Sequence, residues 1–73
     1  MSTTTGLIAH IRSEAAVLVR RANPGCDYSR PWFAPKVDEV AETMVRRLCL
    51  DNAAAGRADL ARKIRTAWEM SGA

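Results

Sequence analysis

Asn23-Pro24-Gly25-Cys26-Asp27-Tyr28-Ser29-Arg30-Pro31-Trp32-Phe33-Ala34-Pro35 lies between stretches that read as amphipathic helix on either side. All three prolines of the 73-residue chain lie in these thirteen positions, with three of its four Phe, Tyr and Trp residues and one of its two cysteines. A proline carries no backbone donor and pushes the residue before it out of the α region. Asn23-Pro24-Gly25 therefore stops a helix, and Pro35 can open the next one, where its missing N–H costs nothing. Between them lies an irregular connector over 23–34. One ring of the adjacent pair Trp32 and Phe33 is expected to pack inward, and the other to stay partly exposed, because neighbours in a loop do not easily point the same way.

On the N-terminal side, Met1 to Thr5 reads as a polar tail, and one of Thr3, Thr4 or Thr5 can cap a helix by accepting from its first free amides. A helix near 5–22 follows. Leu7, Ile8, Ile11, Leu18 and Val19, with Ala15 and Ala22, fill one arc of it, and Arg12, Ser13 and Arg20 face away. Val17 sits off the stripe beside His10 and Arg21. Arg20 and Arg21 suit the negative end of the helix dipole.

On the C-terminal side, a helix near 35–50 carries Val37, Val40, Ala41, Met44, Val45 and Leu48 on one stripe, opposite Glu39, Glu42, Thr43 and Arg46. Asp38, Glu39 and Glu42 come early, as a solvated first turn, and Arg46 and Arg47 come late. Glu42 and Arg46 are spaced to pair at i,i+4. Leu50 falls on the polar side. A third helix near 54–71 sets Leu60, Ile64, Ala67 and Trp68 against Arg62, Arg65, Thr66 and Glu69, with Asn52 or Gly56 as its cap. Twelve residues separate Leu48 from Leu60, which rotates the stripe by about 120°. One straight helix could not send both stripes to one core, so the chain is expected to break within 51–56. The expectation is an all-α, three-helix single domain over 1–73.

Composition makes that domain thinly cored. A chain of this size buries only about 60–65% of its unfolded surface. Thirteen of its thirty-five hydrophobic residues are alanine, and Leu, Ile, Val and Phe number fourteen. Such a core gains from burying a second apolar face against another copy, so a homodimer is expected. Nine arginines against two lysines, with abundant alanine, have the bias of a GC-rich bacterial or phage genome. A net charge of +3 permits contact with nucleic acid, but acids are interspersed on every segment. The longest apolar run, Ala15 to Val19, is five residues where about twenty cross a bilayer. The expectation is a soluble, cytoplasmic protein with no membrane contact, in which Cys26 and Cys49 are free thiols.

Catalysis lacks parts. His10 is the one histidine, with no acid spaced to orient it, and there is no Gly-x-Ser-x-Gly elbow or Gly-rich phosphate loop. Cys26, Cys49 and His10, even with Asp27, match no zinc spacing. No enzyme activity, cofactor or metal is expected. Two function readings remain. In the first, Tyr28, Arg30, Trp32 and Phe33 bind a protein partner, since Tyr, Trp and Arg dominate interface hot spots and Pro24, Pro31 and Pro35 restrain the backbone. The alternative is a DNA-binding regulator whose third helix contacts DNA through Arg57, Arg62, Lys63 and Arg65. Asp59 and Glu69 on that face count against it, as does the lack of a short glycine-containing turn before it.

Overall fold

The computed structural model describes residues 3–71, the side chains of Thr3 and Thr5 excepted. It is all-α, with α1 over Thr3–Ala22, α2 over Phe33–Ala54 and α3 over Ala58–Ser71. Among the described residues no helix is long and apolar enough to cross a membrane. The helices lie as an elongated bundle, with a radius of gyration of 13.4 Å, against about 11 Å for a compact domain of this length. Helix α1 is already under way at Thr3, inside the stretch expected to be tail. The capping role expected of Thr3, Thr4 or Thr5 depends on side chains at Thr3 and Thr5 that lie outside the described residues.

The core is a cluster of Ile8, Ile11 and Ala15 from α1, Ala41 and Val45 from α2, and Ile64 from α3. Val37, Val40, Met44, Leu48, Cys49, Ala67 and Trp68 pack half-buried around it, as their spacing requires. Four positions depart from the expected stripes. Leu18 is 46% exposed and Ala22 is exposed, because the fully buried row of α1 is Ile8, Ile11, Ala15 and Val19, with Leu7 half-buried beside it. On α3, Ala61 is buried in place of Leu60, while Ile64, Ala67 and Trp68 face the core as their spacing requires. Leu50 is 66% exposed, in keeping with its place on the polar side.

The break between α2 and α3 comes later than expected, at Ala55-Gly56-Arg57. Gly56 has φ +80, which an L side chain rarely adopts. Its N–H donates to the Ala53 carbonyl, and the Arg57 N–H donates to the Asn52 carbonyl at 2.8 Å. These two bonds satisfy the last carbonyls of α2 in a Schellman turn. Asn52 is therefore no cap for α3. It lies within α2 and donates its side-chain N–H to the Leu48 carbonyl. Because α2 runs from Phe33 to Ala54, Asp38 and Glu39 lie beyond its first turn and Arg46 and Arg47 before its last. The end charges expected for that helix are absent.

Ile64 fills the centre of the cluster at 1% exposure. Ile64→Ala should lower unfolding stability by about 2–4 kcal/mol through the cavity it leaves. Leu50→Ala should change it by no more than about 0.5 kcal/mol. Urea unfolding followed by circular dichroism checks both.

Candidate interaction surface

Four consecutive turns build the connector. The Cys26 N–H donates to the Asn23 carbonyl across Pro24 and Gly25, with Gly25 at φ +79, the pattern of a type II turn. Asp27 Oδ1 accepts from the Ser29 amide at 3.0 Å and the Ser29 hydroxyl at 2.6 Å, closing an Asx turn. The Arg30 N–H donates to the Asp27 carbonyl, and the Phe33 N–H to the Arg30 carbonyl across Pro31 and Trp32. Helix α2 then starts two residues before Pro35, and Trp32, at its N-terminal boundary, contributes no side-chain cap.

The turns bring three rings together. Tyr28 and Phe33 lie 5.2 Å apart between centroids, Trp32 and Phe33 5.7 Å in an edge-to-face arrangement, and Tyr28 and Trp32 6.2 Å. Such tilted pairs suit the ring quadrupoles. The cluster seals the end of α1. Tyr28 Oη lies 2.6 Å from the Asn23 carbonyl and 3.1 Å from that of Arg20, so its single proton can serve either. Asn23 donates its side-chain amide to the Val19 carbonyl. The Arg20 guanidinium stands 5.5 Å over Phe33 and 5.9 Å over Tyr28, although Arg20 reads from sequence as facing away. Phe33 and Tyr28 are half-buried and Trp32 is 37% exposed. The rings form a satellite of the main core and do not enter it.

Of the four residues expected to bind a partner, Tyr28, Trp32 and Phe33 are thus in mutual contact. Arg30 lies beside them, its Nε 3.4 Å from Asp27 Oδ2. The alternative set is dispersed. Arg57 stands exposed just before α3, and Arg62 and Lys63 are exposed along it. Arg65 is paired with Glu69 at 3.3 Å. It lines an acid-containing cleft with Asp38 and Glu42.

Of two further groupings, one joins distant elements and was not legible, and the other, at i,i+4 spacing, was legible but overlooked. Arg12, expected to face solvent, is paired with Asp38 of α2, donates to Ser71 Oγ of α3 at 3.1 Å, and stacks 4.4 Å over the Trp68 ring. One side chain ties all three helices, and Asp38, though well exposed, joins that clamp from beyond the first turn of α2. His10 does have an acid beside it, Glu14 one turn on at 3.9 Å, and both are well exposed. Glu42 and Arg46 pair at 3.4 Å, as their spacing suggests. Cys26 is free and exposed. Cys49 is free and half-buried, and its thiol donates to the Ala61 carbonyl. No three His, Cys, Asp or Glu side chains gather to hold a metal among the described residues. Compared with protein-family models, with curated proteins and with solved structures, the chain matches none.

The Ser29 hydroxyl and then the Ser29 amide hold the Asp27 carboxyl below its ordinary value of 3.8. Burial opposes them weakly and Arg30 adds a smaller pull downward. A depressed native value means that the turn is stabilised by ionised Asp27 above the ordinary value, and loses that support as the pH falls through the native one. The Ser29 amide resonance should therefore titrate with a midpoint below 3.8, and Asp27→Asn should abolish that titration in an NMR pH series.

Proposed function

We propose that the protein is a small helical protein-interaction module, an adaptor or inhibitor that acts by binding another protein and that pairs with a second copy of itself. The observation that carries the reading is the connector. Its backbone is fixed by successive turn hydrogen bonds, and its aromatic cluster leaves the Trp32 ring at the surface. A surface already ordered before binding loses little conformational freedom on association, so its anchors contribute more of their contact energy. Tyr28 and Phe33 hold the platform, and Trp32 and Arg30 are the groups offered to the partner. Trp32→Ala or Arg30→Ala should weaken the complex by about 1 kcal/mol or more. Both should leave the helical circular dichroism unchanged, and Arg62→Ala should leave affinity for the same partner intact. The partner comes from pull-down with the wild-type protein, and isothermal titration ranks the variants.

Self-association has separate support. Leu7 and Leu18 lie about 120–140° around α1 from Arg12, the residue that meets α3. Val40 and Met44 lie about 140–180° around α2 from Cys49, which touches Ala61 of α3. On that flank of the α1–α2 pair, turned away from α3, Leu18 is exposed, and Leu7, Val40 and Met44, packed against the core, are half-buried beside it. Sedimentation equilibrium should find a species larger than 8.0 kDa, returned to monomer by Leu18→Arg. A clean monomer at tens of micromolar would contradict the pairing.

One observation favours the DNA-binding alternative. The α2–α3 connection is, after all, a short turn containing glycine, as helix-turn-helix modules use. Affinity for duplex DNA that collapses between about 50 and 200 mM salt would mark that reading, whereas an aromatic protein interface changes little with salt.

A further inference from the structure

A second surface lies away from the connector. Between the N-terminal half of α1 and the outer side of α3 runs an open groove of about 730 Å³. Its floor is Ile8, Ala9, Ala67 and Met70, and its rim carries Arg12, Arg62 and Lys63. No residue of the connector lines it, and neither does any Asp or Glu. The two facing alanines leave depth where larger side chains would close the trough, and Met70, 73% exposed, offers an adaptable apolar wall. Arg12 is already engaged by Asp38. Among the described residues Arg62 and Lys63 have no carboxylate within ion-pair distance.

We propose that this groove docks an amphipathic helix of a protein partner whose apolar stripe is edged with acidic residues. The inference rests on the protein-binding reading for the class of partner, but it uses a different surface. Length fits: the α3 lining runs from Arg62 to Ser71, roughly 14 Å or two and a half turns, and anchors at i, i+4 and i+7 span about 11 Å. Charge fits as well, because the two unengaged cations stand on the rim of an apolar trough that holds no acid of its own. A nucleic acid would use the cations alone and gain nothing from Ile8, Ala9, Ala67 and Met70, so the floor selects the peptide.

The test uses the intact protein and a synthetic three-turn peptide with leucines at i, i+4 and i+7 flanked by glutamates. Binding is read by fluorescence anisotropy and by methyl NMR shifts. The expected result is saturable binding that moves the Ala9, Ala67 and Met70 methyls. Met70→Lys and Lys63→Glu, both at exposed positions, should each weaken it about tenfold or more. Trp32→Ala should leave it unchanged. Groove methyls that stay still at millimolar peptide would overturn the proposal, as would equal binding of a scrambled peptide. So would rim residues that respond to duplex DNA but not to the peptide. If the peptide binds at the connector and Trp32→Ala abolishes binding, the groove is excluded while the connector reading stands.

Discussion

At a rise of about 1.5 Å per residue, α3 reaches roughly 21 Å, while α1 and α2 reach roughly 30 and 33 Å. Fourteen residues cannot cover helices of twenty and twenty-two, and much of the molecule follows from that shortfall. The last turn of α3 meets α1 at Arg12, where the guanidinium stacks on Trp68 and reaches Ser71 and Asp38. Beyond Arg12 the connector takes over. Val19 is buried outside the main core cluster, at the end of α1 where Tyr28, Phe33 and Arg20 close together. Tyr28 and Phe33 close over the end of α1, and Trp32 is left partly exposed.

The thin core is what makes close fitting possible. Ala15 and Ala41 are fully buried on facing helices, and residues that small let helix backbones approach closely. A core of two alanines, three isoleucines and one valine leaves little reserve. Large apolar side chains that find no room inside stay at the surface, as Leu18, Leu60 and Met70 do. Leu18 and Met70 mark two of the faces on which association is proposed, the α1–α2 flank and the α1–α3 groove. Both are consequences of an alanine-rich chain folding around few large residues.

The helices, their number and most of the buried face of α2 were legible in the sequence, because Val37 to Leu48 repeat at helical spacing without interruption. The ends were less so. Pro35 marked the start of α2 two residues late, because proline is also tolerated later in a first turn, where the N–H groups have no partner within the helix. Gly56 marked the break correctly but with the wrong role: its positive φ closes α2 and does not open α3. Ala61 was overlooked in favour of Leu60 because periodicity weighs large residues, whereas the Schellman turn sets the angle at which α3 leaves. Arg12–Asp38 and Arg20–Phe33 join elements far apart in sequence, and no local pattern encodes them. The aromatic concentration of the connector was plain, but which ring would face solvent depended on turn geometry.

Everything proposed for the connector depends on its being ordered before any partner arrives. Backbone 15N relaxation of the free protein measures this directly over residues 26–32. The account predicts order parameters near those of the helices, about 0.85, held there by the turn bonds and the Tyr28 hydroxyl. Values below about 0.6 in this segment would mean the connector is a loose loop, and the preformed surface would not exist.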